Sequence, residues 1–124
     1  MLFRSPRTQE DKLNALRKGL KRAAELGISL VIQGESDKKS AFQRLIADKN
    51  LPSANTGFMG DDVLDLPVMS LSGFSATVPG APQELITRAL FTTRREGGHG
   101  AVREVCEFIM RAQGTYDTVM AKYL

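Results

Sequence analysis

The chain has 124 residues, 42% of them apolar, and a formal net charge of +3, enough for one modest domain around one core. No stretch approaches the roughly 18 unbroken apolar residues of a membrane span, MLFRSPRTQEDKL lacks the apolar centre of a secretory leader, and a single cysteine, Cys106, excludes an internal disulfide. These features predict a soluble cytoplasmic domain over residues 1–124, with no membrane partner.

The charge is uneven. Residues 1–25 carry seven Lys/Arg against three acids, which reads either as a solvated helix face or as a surface for an anionic partner. No aromatic residues are interleaved there to stack on bases, so nucleic acid is not the expected partner. Thr8, with Asp11 three residues on, reads as a helix start. Leu13, Leu16, Leu20, Ala23 and Ala24 then recur at helical spacing, and Gly27 can end the helix in a left-handed turn. Residues 28–32 (ISLVI) predict a buried strand.

Ser36 or Asp37 caps a second helix carrying Ala41, Phe42, Leu45 and Ile46. A strand is expected near 56–59, a helix around 64–71 with Pro67 in its first turn, and a strand over 73–78. A short helix over 83–88, a brief strand over 90–93, a glycine-rich loop over 97–100 and an amphipathic helix over 101–113 complete the pattern. Helices alternating with strands across short connections predict an α/β fold with a parallel sheet.

The sharpest chemical signal is Gly60-Asp61-Asp62-Val63-Leu64-Asp65, three carboxylates within five residues where a strand ends. Such a cluster repels itself, and the ends of parallel strands are where α/β proteins place ligands. Magnesium, which takes oxygen ligands and retains waters, would relieve the repulsion. The alternative is an acidic helix start stabilised by the helix dipole. Lys38 follows the predicted 28–32 strand, where it can meet a phosphoryl oxygen or remain a solvated charge.

Four stretches, RAAELGI (22–28), QGESDK (33–38), GFMGDDVLDLPVM (57–69) and GGHGAVREVCE (97–107), together resemble the bacterial 3-deoxy-D-manno-octulosonate 8-phosphate phosphatases of lipopolysaccharide biosynthesis. That family has the haloacid dehalogenase fold, a parallel Rossmann-like sheet. The resemblance implies a magnesium-dependent phosphomonoester hydrolase of a small sugar phosphate, assembled as a homotetramer. It makes Asp61 the magnesium ligand, places Asp62 and Asp65 in supporting catalytic positions, sets Lys38 against the transferring phosphoryl group, and gives Arg22 to substrate binding.

The family nucleophile lies in an Asp-x-Asp-Gly motif, and no Asp-x-Asp occurs here. A second family motif, a strand ending in Thr-Gly-Arg, is also missing, with Phe3-Arg4-Ser5 its nearest counterpart. The resemblance therefore implies a sheet lacking the first two core strands, a chain inactive alone, and marginal stability or altered docking of the first helix and strand. A non-catalytic binding or oligomerisation module is the alternative function. A response-regulator receiver is disfavoured because there the lysine follows the acid pair.

Other residues read more simply. His99 is an acid–base candidate or an exposed loop residue, Cys106 a core cysteine, and Met59, Met69 and Met110 core filling. Arg103-Glu104 reads as a cap over the site or a subunit contact in the implied tetramer.

Overall fold

The computed structural model describes residues 8–33 and 36–124, and Phe3-Arg4-Ser5 lies outside them. The chain divides into two compact units, with the boundary between Ser36 and Asp37.

The first unit is built on helix α1, Gln9–Glu25. The Thr8 hydroxyl accepts from the Asp11 N–H at 3.0 Å, and the Asp11 carboxylate accepts from the Thr8 N–H at 3.2 Å, so two donors of the first turn are satisfied reciprocally. Gly27 follows at φ +74°, a backbone angle that a Cβ would penalise. Leu13, Leu20 and Leu26 on this unit are 45–58% exposed.

Residues 28–32 are not the strand that their β-branched composition predicts. They belong to no sheet, and Ile28, Leu30 and Ile32 are each about half exposed. Strand propensity measures how well side chains fit a pleated, paired surface. This segment has no ladder partner among the described residues, so that preference is not realised.

The second unit holds a three-stranded parallel sheet in the order β1-β2-β3. The strands are β1 (Gly57–Met59), β2 (Phe74–Thr77) and β3 (Phe91–Thr92). Gly57 pairs with Phe74 and Met59 with Ala76, while Ala76 pairs with Phe91. Helices α2 (Lys38–Asp48), α3 (Leu66–Leu71) and α4 (Gln83–Arg88) alternate with the strands. Helix α5 (Ala101–Gln113) and the short α6 (Tyr116–Met120) end the fold. This is the expected α/β pattern, with Pro67 in the first turn of α3, where its missing N–H costs nothing.

The core gathers Met69, Val78, Ala81, Leu85 and Ala101, with Phe58, Met59 and Leu66 packed against it. On α5 the ring of Phe108 stacks on Phe91 at 4.4 Å between centroids and on Phe74 at 5.9 Å. Cys106 is exposed, contrary to its expected core position. Ala101 and Val105, four residues apart, form the buried stripe of α5. Cys106 stands four residues after Val102, which is 67% exposed, and shares that outward face.

Candidate cation and phosphate site

Parallel pairing sets the C-terminal ends of all three strands along one edge of the sheet. Chain direction alone therefore brings the turn after β1, residues 60–65, beside the loops that leave β2 and β3. The ladder runs up to this edge, where the Gly60 N–H donates to the Ala76 carbonyl at 3.1 Å.

Asp65 organises the turn. It is 3% exposed, and both of its oxygens are engaged. Oδ2 accepts the backbone N–H groups of Asp61 at 3.0 Å and Asp62 at 3.1 Å. Oδ1 accepts from Lys38 Nζ at 2.6 Å. A buried carboxylate is costly unless paired and hydrogen-bonded, and here it is both. The close fit depends on Gly60, because a Cβ at that position would come within 2.5–2.7 Å of the Asp65 side chain.

Asp62 closes a second reciprocal cap, its Oδ1 accepting from the Leu64 N–H at 3.3 Å. Asp62 thus caps the turn that starts at Val63. Asp61 differs: it is exposed, and among the described residues its carboxylate accepts no hydrogen bond. One turn therefore carries three acids in three different hydrogen-bonding settings.

Lys38 opens α2, behind the N-cap Asp37. The Asp37 carboxyl lies below its ordinary pKa, chiefly through the hydrogen bond from the Ser40 hydroxyl and then that from the Ser40 N–H. The cap fixes the first turn of α2 and with it the base of the Lys38 side chain. That side chain is 45% exposed, so its ammonium meets Asp65 on one side and solvent on the other.

The expected site residues thus sort by location. Lys38, Asp61, Asp62 and Asp65 come together in the second unit. Arg22 lies in the first unit, on the last turn of α1, where it pairs with Glu25 at 3.2 Å. His99 is exposed in the loop before α5.

Two further side chains brace this edge: Thr77, for which the sequence carries no expectation, and Glu104, expected together with Arg103 as a cap over the site or a subunit contact. The buried Thr77 hydroxyl donates to the Gly60 carbonyl at 2.7 Å. Glu104 accepts the Arg94 N–H at 2.9 and 3.0 Å and the Arg95 N–H at 3.0 Å. The Arg94 bond is the main influence holding the Glu104 carboxyl below its ordinary pKa. Glu104 therefore ties down the loop after β3, while Arg103 pairs with Glu107 on its own helix.

Among the described residues no group of three or more His, Cys, Asp or Glu side chains is gathered to hold a metal. The donor chemistry nevertheless suits magnesium, which accepts one or two carboxylates and fills its shell with water. Asp61 offers such a carboxylate, and Asp65 is already committed to Lys38 and two amides.

The sequence profile of the haloacid dehalogenase-like hydrolases matches residues 10–105. The chain belongs to the haloacid dehalogenase-like hydrolases. Within that family it is 45% identical over 96 residues to the 3-deoxy-D-manno-octulosonate 8-phosphate phosphatase KdsC of Escherichia coli K12, an alignment covering 77% of this chain and 51% of that protein. The chain spans about half the length of the curated relatives it matches.

Solved hydrolases of this family superpose well. The Moraxella catarrhalis 3-deoxy-D-manno-octulosonate 8-phosphate phosphatase, in complex with magnesium, phosphate and KDO, is 36% identical with a TM-score of 0.84, covering 87% of this chain and 62% of that one. The Yersinia pestis phosphatase is 40% identical with a TM-score of 0.79, covering 82% and 55%. No helix among the described residues is long and apolar enough to cross a membrane.

Proposed function

We propose that this chain carries the cation- and phosphoryl-binding elements of a magnesium-dependent phosphatase acting on 3-deoxy-D-manno-octulosonate 8-phosphate in the cytoplasm, as a step of lipopolysaccharide biosynthesis. The observation that carries the reading is the division of labour at the end of β1: a hydrogen-bonded turn presents the Asp61 carboxylate without a partner among the described residues while Asp65 takes the Lys38 ammonium. The KdsC phosphatases at 45% identity support the substrate class.

Asp61 would hold magnesium, with Asp62 fixing the turn beneath it. Bound magnesium would draw negative charge from a phosphoryl oxygen. Lys38, held by Asp65 yet open to solvent, would bind a second phosphoryl oxygen and orient the group. Arg22 is proposed as a further substrate contact.

The sequence contains no Asp-x-Asp to supply the family's covalent nucleophile, so turnover by these residues alone is expected at background. Phosphate release from 3-deoxy-D-manno-octulosonate 8-phosphate with magnesium, compared between this chain and Asp61→Ala, tests this. Equal background signals fit the proposal. Release that disappears in Asp61→Ala would place a nucleophile elsewhere in these residues.

A further inference from the structure

The Gly60 carbonyl and the Asp61 N–H belong to one peptide unit, and two buried side chains hold it from its two ends. Asp65, 3% exposed, accepts the N–H at 3.0 Å. Thr77, fully buried, donates to the carbonyl at 2.7 Å. Among the described residues no backbone N–H reaches this carbonyl, because the β1–β2 ladder ends one step earlier, at the Gly60 N–H and the Ala76 carbonyl. The Thr77 hydroxyl thus supplies the next rung.

A hydroxyl at this point is a specific choice. Thr77 lies on the central strand, and a valine would fill the same volume without a polar atom to satisfy. Its backbone carbonyl is engaged as well, accepting the Thr93 N–H at 2.9 Å and the Thr93 hydroxyl at 3.3 Å. The strand that aims the hydroxyl is therefore itself fixed from β3. Losing the Thr77 donor would leave the Gly60 carbonyl unpaired and let the peptide rotate. Rotation would turn the Asp61 N–H off Asp65 and swing the Asp61 side chain with it.

We propose that Thr77 is a positioning residue for the cation carboxylate of Asp61, acting through the Gly60–Asp61 peptide. This rests on the reading of Asp61 as the magnesium ligand. Manganese, which shares magnesium's preference for carboxylate oxygen, serves as the probe: free Mn2+ is followed by electron paramagnetic resonance with the full chain, Thr77→Val, Thr77→Ser and Asp61→Asn. Exchange of the Asp61 amide proton in nitrogen-15-labelled protein gives a second readout that needs no metal.

Thr77→Val is expected to weaken Mn2+ binding on the order of tenfold, as loss of a partner behind a ligand does, and to speed exchange of the Asp61 amide. Thr77→Ser, which keeps the donor, should restore both. Parent-like Mn2+ binding in Thr77→Val, where Asp61→Asn has lost it, overturns the proposal, and so does a Thr77→Ser variant as impaired as Thr77→Val. If Asp61→Asn binds like the parent, or the parent does not bind, the magnesium reading of Asp61 falls instead. Unchanged Asp61 exchange in Thr77→Val then overturns the positioning role independently. Should Thr77→Val not fold, Thr77→Ala against Thr77→Ser carries the same comparison.

Discussion

Asp65 holds Lys38 with one oxygen and the backbone of its own turn with the other. A single buried carboxylate therefore sets the shape of the acidic turn and the direction of the lysine together. The half-exposed Lys38 can reach solvent if the pair is broken, whereas the two amides on Oδ2 make no other hydrogen bond among the described residues. Asp65→Ala should accordingly cost on the order of 3 kcal/mol, and Lys38→Met, which leaves the buried carboxylate its two amide donors but no ammonium, about 2 kcal/mol. Urea unfolding of the two variants measures the difference. Equal losses would mean that the ion pair, rather than the amide contacts, holds the turn.

The neighbouring acids should separate cleanly as well. Asp61 accepts no hydrogen bond among the described residues and is exposed, so Asp61→Asn should change stability by no more than about 0.5 kcal/mol while abolishing cation binding. Asp62→Ala removes a cap and should cost about 1 kcal/mol. Thermal melts with and without magnesium distinguish them. A stabilising shift with magnesium that survives in Asp61→Asn would assign the ligand to another residue.

Glu104 gives a pH signature. Its carboxyl is lowered in the fold, chiefly by the Arg94 N–H, so the folded state favours the ionised form. That contribution is complete above the ordinary glutamate pKa, and it is lost as pH falls through the lowered folded value. The stability difference between parent and Glu104→Gln should therefore shrink steadily on acidification through this range. Asp37, lowered chiefly by the Ser40 hydroxyl, adds a slope of the same sign to both proteins and cancels. Melts over a pH series provide the check, and a difference that grows toward acid would contradict it.

Much of this architecture can be read from local chemistry. The Thr8 and Asp37 caps, the Pro67 helix start and the turn at Gly27 each follow from one side chain and its near neighbours. The acidic turn is legible for the same reason, since Asp61, Asp62 and Asp65 lie within five residues. What depends on a distant partner is not legible. The bond from Thr77 to Gly60 spans 17 residues, and that from Arg94 to Glu104 spans 10. The exposure of Cys106 is not legible because its flanking residues, Val105 and Glu107, do not reveal which helix face it shares.

The 28–32 segment illustrates the same limit and yields the last prediction. Its composition is that of a strand, but a strand exists only where a neighbour accepts and donates its hydrogen bonds. The Ile28 N–H bonds back to the Ala23 carbonyl at 2.8 Å as part of the helix end, and no backbone bond is made by the N–H groups of residues 29–33 among the described residues. Those amides should exchange with deuterium at nearly the rate of an unfolded chain, whereas the amides of Phe58, Gly60 and Ala76 should be protected by the β1–β2 ladder. Mass spectrometry of exchange over a concentration series measures both. Protection of 29–33 that appears only at high concentration would mean that this strand-forming edge is paired by a second molecule. Protection at every concentration would mean that the segment is paired within the chain, and the unpaired conformation described above would be wrong.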